Sequence, residues 1–109
     1  MSAPLSSLQF TFKDTLGGHQ VTAHIDDKPV GLLEWAAGGK GQIENVKVLP
    51  EHRRRGVATA LLGEARRVAS EREILPPAHS ERRSDAGDAW AKSLGEDLPE
   101  RKSDREYFR

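Results

Sequence analysis

Leu8, Phe10 and Phe12 alternate with Gln9, Thr11 and Lys13, the two-residue period of a strand with one buried face. Asp14–Gly18 carries turn chemistry, and Val21, Ala23 and Ile25 then alternate with polar neighbours as a second strand. Asp26-Asp27-Lys28-Pro29 turns the chain into a third strand over Val30–Trp35. Gly38-Gly39-Lys40-Gly41 turns it again into a fourth over Gln42–Leu49. Three short connections between four strands predict an antiparallel meander. Beyond Pro50 the period changes. Val57, Ala58, Leu61, Leu62, Ala65, Val68 and Ala69 form an apolar stripe at helical spacing, with Arg54, Arg55, Arg66, Arg67 and Ser70 largely off it. Gly63 inside this helix costs about 1 kcal/mol relative to alanine, to be explained by tolerance or by close packing against the sheet. Ile74-Leu75 is read as a very short fifth strand stopped by Pro76-Pro77. Asp85–Leu94 is read as a second helix with Ser84 or Asp85 as cap and Gly95 as stop. Leu98–Arg109 is read as irregular.

The chain has 109 residues, the size of one domain with one modest core, and hydrophobic residues make up 36% of it. The fold class is α/β in the α+β sense: a mixed, mostly antiparallel sheet of about five strands with two helices. No apolar run approaches the ~20 residues of a membrane span, and Met1–Leu16 has no secretory pattern, so a cytoplasmic location without a membrane partner is expected. Cysteine is absent, which removes disulfides, thiolate metal ligands and a cysteine nucleophile. Seventeen basic and seventeen acidic residues cancel, and aromatic residues make up only 6%. Both argue against a nucleic-acid partner despite Arg53-Arg54-Arg55. His19, His24, His52 and His79 show no close pairing that suits a metal site, and none is expected. Trp35 and Trp90 suit core or interface packing better than stacking on a ligand.

The candidate chemistry lies in Val46-Lys47-Val48-Leu49-Pro50-Glu51-His52-Arg53-Arg54-Arg55-Gly56-Val57-Ala58-Thr59. This reads as a strand passing through a turn into a helix. The first turn of a helix has amides without internal partners, at the positive end of the helix dipole, and these bind anions. Gly56 and Ala58 lack the side chains that would hold a diphosphate away from those amides, and the arginines add charge and forked donors.

This run resembles the signature of the GNAT acetyltransferase superfamily: Arg or Gln, two variable residues, Gly, one variable residue, then Gly or Ala. Arg53, Gly56 and Ala58 meet it, and Val48, Pro50 and Leu61-Leu62 are similar to the family's flanking positions. The resemblance implies an acetyl-CoA-dependent N-acetyltransferase, with acetyl-CoA as co-substrate and an unidentified amine as acceptor. The diphosphate of the acyl-CoA would lie on Arg53, Arg54, Arg55, Gly56, Val57, Ala58 and Thr59. The pantetheine arm would pair with Val46, Lys47 and Val48 like an added strand. The family's usual strand carboxylate maps onto Glu44 as general base. Simple alternation puts Gln42, Glu44, Val46 and Val48 on one face, a count that a bulge would scramble.

Two departures stand beside the resemblance. The tyrosine that usually meets the departing thiolate maps onto Ala91, next to Trp90, and the only tyrosine is Tyr107; His79 is an alternative acid. The helices that usually form one acceptor wall are replaced by a turn between Phe12 and Val21. An open site for a protein or peptide amine, or a site completed by a second subunit in a homodimer, would follow. The same departures motivate the alternative function: a non-catalytic acyl-CoA-binding or interaction module that keeps the fold.

Overall fold

The computed structural model describes residues 7–53, 55–79 and 85–95. The chain divides into two compact units, Met1–Ala78 and His79–Arg109. In the first, strands β1 (Gln9–Thr15), β2 (Gly18–Ile25), β3 (Lys28–Ala36) and β4 (Ile43–Val48) are followed by one 3₁₀ turn, Pro50–His52, and helix α1 (Val57–Arg72). The sheet order is β1-β2-β3-β4, every pair antiparallel. The predicted meander is thus observed: β2 and β3 run beyond the expected segments, while β4 falls one residue short of the expected Gln42–Leu49 at each end. In the second unit, helix α2 spans Asp85–Ser93, and Gly95 follows it at φ +69°, the left-handed conformation expected of a helix stop.

The connections follow from local chemistry. Thr15 pairs with Gly18, so only Leu16 and Gly17 join β1 to β2, with Gly17 at φ +90°. Ile25 pairs with Lys28 around Asp26 and Asp27, both at positive φ, the paired left-handed conformation of a type I′ hairpin turn.

One face of the sheet is apolar. Register places Phe10, Phe12, Val21, Ala23, Leu33, Trp35 and Val46 on it, and α1 covers it with Val57, Leu61, Leu62, Ala65, Val68 and Ala69, all buried. Gly31 lets α1 approach: a Cβ there would lie 3.3 Å from both Val57 Cγ1 and Leu61 Cδ1. Near the far end of α1, the Arg72 guanidinium lies 4.6 Å from the Phe12 ring centre. The opposite face carries side-chain hydrogen bonds between Thr11 and His24, and from Asn45 Nδ2 to Glu34 Oε1. Among the described residues no helix is long and apolar enough to cross a membrane.

The fifth strand differs from expectation. Ile74 and Leu75 form no strand; among the described residues, pairing beyond α1 is a single parallel bridge between Gln42 and Ala78. The prolines displace it downstream, because Pro76 and Pro77 have no amide to donate. Instead, Trp35 Nε1 donates to the Leu75 carbonyl at 2.9 Å, which anchors the segment by a side chain. Trp35 is fully buried and belongs to the core. Gly41 completes the crossing, since a Cβ there would lie 2.5 Å from the Pro76 oxygen.

Gly63 is exposed, and a Cβ placed there meets nothing within 4 Å. Close packing therefore does not explain it. Gly63→Ala should raise stability by about 1 kcal/mol, read as a higher thermal midpoint. Trp35→Phe keeps the aromatic volume but leaves the Leu75 carbonyl without its donor. It should cost about 2 kcal/mol in denaturant unfolding.

Candidate functional site

The β4 strand is one of the two edges of the sheet, and its hydrogen-bonding alternation decides what it can offer. Leu49 N–H donates to the Val30 carbonyl at 2.9 Å, and Lys47 and Asn45 stand opposite Leu32 and Glu34. In an antiparallel ladder the groups facing the partner alternate along the strand. The backbone groups of Leu49, Lys47 and Asn45 thus face β3, while those of Val46 and Val48 face outward.

The outer edge is occupied at both ends. At its start Ile43 N–H donates to the Ala78 carbonyl, and Ala78 N–H to that of Gly41, each at 2.8 Å. At its finish Arg53 Nε donates to the Val48 carbonyl at 3.0 Å. Between these closures lie the Val46 N–H and C=O and the Val48 N–H. Among the described residues of this unit nothing pairs with them.

A bulge interrupts β4 at Glu44. Trp35 pairs with Ile43 and Glu34 with Asn45, leaving Glu44 as the extra residue. The simple alternation that placed Gln42 and Glu44 with Val46 and Val48 is broken there. Register puts Ile43, Val46 and Val48 on the α1 side, and a bulge re-aims the side chain it carries. Glu44 is exposed, at the end of the edge nearest the Ala78 bridge.

At the other end, the chain leaves β4 through the 3₁₀ turn, where Arg53 N–H donates to the Pro50 carbonyl at 3.3 Å. Gly56 is the N-cap of α1 with φ 80° and ψ 10°, and as a glycine it brings no capping side chain. A left-handed residue here needs glycine for a reason of conformation as well as of space. The first helical bond runs from Ala60 N–H to the Gly56 carbonyl at 2.9 Å. The amides of Val57, Ala58 and Thr59 therefore precede the helical ladder, where the helix dipole is positive. Val57 turns its side chain into the core, Ala58 is half-buried, and Arg55, Gly56 and Thr59 are exposed. Arg54 lies outside the described residues.

The structure therefore joins Val46, Val48, Gly56, Val57, Ala58 and Thr59 into one track, with bare strand amides at one end and a helix N-terminus at the other. Lys47 alternates away from the edge through its backbone, and Arg53 spends its Nε on the protein. Such a track suits an extended, amide-bearing arm that ends in phosphate groups. His79 belongs to the second unit, where its ring meets Trp90 edge-on at 5.5 Å. Ala91 is fully buried. Tyr107 lies outside the described residues. Sequence reasoning passed over Gly31, which seats α1 against the sheet, and read Gly41 only as a turn residue, whereas it also seats the 74–78 segment. The one available signal was a glycine inside a strand pattern, which marks close backbone approach.

A family model described as the acetyltransferase (GNAT) family matches residues 3–95. Solved structures share the fold. The aminoglycoside 6′-N-acetyltransferase AAC(6')-IG from Acinetobacter haemolyticus is 26% identical at a TM-score of 0.61, over 81% of this chain and 68% of that one. A ribosomal-protein-alanine N-acetyltransferase from Brucella melitensis biovar Abortus 2308 is 19% identical at 0.63, over 79% and 67%. AAC(6')-Iy, in complex with a bisubstrate analogue of CoA, is 19% identical at 0.63, over 81% and 67%. The chain spans about two thirds of the length of these three. No curated protein sequence matches it.

Replacing Gly56 by glutamate tests the track at its anionic end. The side chain would strain a left-handed residue and set a carboxylate beside the first-turn amides. Gly56→Glu should cost about 1 kcal/mol of stability and abolish CoA binding in isothermal titration, with the circular dichroism of the fold retained.

Proposed function

The chain belongs to the acetyltransferase (GNAT) family, and on that premise we propose that it transfers an acetyl group directly from acetyl-CoA to an amine. The observation that carries this reading is the outward edge of β4 at Val46 and Val48 running into the glycine-started N-terminus of α1. The pantetheine amides would pair with Val46 and Val48, and the diphosphate would rest on the amides from Gly56 to Thr59. The arginines at positions 54 and 55 would add charge. The described residues hold the donors such a ligand needs: unpaired strand groups for amides, helix-start amides for phosphate oxygens.

In the proposed reaction the acceptor amine attacks the thioester carbonyl. A C–N bond forms, the C–S bond breaks, and CoA leaves as the thiolate. The amine must first lose a proton, an unfavourable step at neutral pH for a group with a pKa near ~10. Glu44, re-aimed by its bulge and exposed to water, takes that role, directly or through a water molecule. A thiol has an ordinary pKa near ~8.5, so the departing thiolate can take its proton from solvent. No protein acid is then essential, which accommodates Ala91 where the family usually has tyrosine.

The acceptor is proposed to be a chain rather than a small enclosed molecule. Only Leu16 and Gly17 separate β1 from β2, so no helical wall rises between those strands. A peptide or protein amine fits the open side, unless a second copy supplies the wall. Two neighbours bracket the chemistry, one named for a ribosomal-protein alanine and one for an aminoglycoside. The buried Ala91 also favours a second reading, a catalytically silent acyl-CoA binder.

Acetyl-CoA should raise the thermal midpoint by mass action, by about 2.7 kcal/mol of added stability at a hundredfold excess over Kd. Release of free CoA thiol in the presence of peptide amines separates catalysis from silent binding. Glu44→Gln should lower kcat at least tenfold while the Kd for acetyl-CoA stays within twofold, a general-base contribution being about a hundredfold or more. A flat thermal response at millimolar acetyl-CoA would remove the whole reading.

A further inference from the structure

Arg53 opens the phosphate-binding motif, yet its Nε faces protein. It donates to the Val48 carbonyl at 3.0 Å, while the Arg53 amide donates to the Pro50 carbonyl at 3.3 Å. One residue thus ties the loop between β4 and α1 to the strand it has just left. We propose that Arg53 is a positioning residue: its side chain seals the last outward carbonyl of β4 and sets where the ligand's arm can pair. The inference rests on the acyl-CoA reading given above and specifies it atom by atom.

Without Arg53, the outer edge would present the N–H and C=O of both Val46 and Val48. An extended arm carrying amides could then pair in two registers, one residue pair apart. The guanidinium occupies the Val48 carbonyl and leaves Val46 N–H, Val46 C=O and Val48 N–H. The Ala78 carbonyl takes Ile43 N–H at the opposite end. A single register remains, and it fixes how far the thioester carbon lies from Glu44 at the bulge. Register along a strand edge is what a backbone-paired ligand lacks by itself, since every second residue offers the same groups.

Geometry distinguishes this role from that of a phosphate ligand. Nε is the guanidinium donor nearest the stem, and an Nε–H held by a backbone carbonyl fixes the plane of the whole fork. A lysine has no donor at that point on its stem. It preserves charge near the diphosphate but cannot reproduce the seal. Retaining charge therefore does not rescue a lost latch, whereas it does rescue a lost ion pair.

The test measures CoA binding and acetyl-CoA turnover for the wild type, Arg53→Lys and Arg53→Met, with melting temperatures checked in parallel. For a latch, Lys and Met should each weaken CoA binding about tenfold, as expected for loss of one hydrogen bond from a charged donor. The slope of log Kd against log salt concentration should stay the same for Arg53→Lys. The KM for acetyl-CoA should rise, and kcat should fall as well, because a slipped register misplaces the thioester. A merely structural contact would lower the melting temperature and leave kcat at saturation unchanged, which would overturn the proposal. Wild-type affinity in Arg53→Lys, with weakened binding and a shallower salt slope in Arg53→Met, would overturn it in favour of a direct phosphate contact. Failure of the wild-type protein to bind CoA would instead overturn the acyl-CoA reading, and the latch with it.

Discussion

An edge strand that keeps its outward hydrogen-bonding groups unsatisfied is the constraint around which this unit is organised. Backbone N–H and C=O groups are costly to leave without partners unless water or a ligand reaches them. Among the described residues, the outward groups of Val46 and the amide of Val48 are the ones left without a partner between the two closures. Ala78 takes the edge at Ile43, and Arg53 takes it at the Val48 carbonyl. The bulge at Glu44 lies beside the first closure and the start of α1 beyond the second. Carboxylate, strand edge and helix terminus thereby fall in the order in which the acyl thioester, amide arm and diphosphate of the proposed ligand would succeed one another.

The closures depend on packing elsewhere. Ala78 can reach the edge because Trp35, fully buried near the end of β3, holds the Leu75 carbonyl with its indole. Gly41 lets the Pro76 carbonyl pass close to the β3–β4 turn. On the other side, Gly31 opens a notch in β3 into which Val57 and Leu61 fit. The helix therefore starts beside the end of β4, where the proposed ligand would need its first amides. Three residues without side-chain chemistry in the site thus hold it in place.

Alternation and helical spacing made the meander and α1 legible in the sequence, because each face of these elements meets a single environment. The track from Val46 to Thr59 was legible for a different reason: the function proposed for it uses backbone, and the sequence records that as small residues at Gly56 and Ala58. Less could be read where tertiary contacts override local pattern. The apolar pair Ile74-Leu75 suggested a strand, but the two prolines moved the pairing to Ala78 and an indole replaced the ladder. Simple counting put Glu44 on the face of Val46 and Val48, whereas the observed bulge shifts the phase between Ile43 and Asn45. A bulge has no compositional mark in this strand. The role of Arg53 was concealed by its neighbours, since three consecutive arginines look alike until one is seen with its Nε on a carbonyl.

The order of the strands along the chain also bears on assembly. A sheet built as consecutive hairpins needs only short loop closures, which favours rapid formation. β4 can therefore be in place while its outer edge still waits for residue 78, on the far side of α1. In that interval the edge is a template for any passing strand, the hazard that leads to aggregation. Lys47, charged and exposed near the end of β4, is the kind of residue that discourages such pairing, so this lysine guards the nascent chain whether or not it ever meets a ligand.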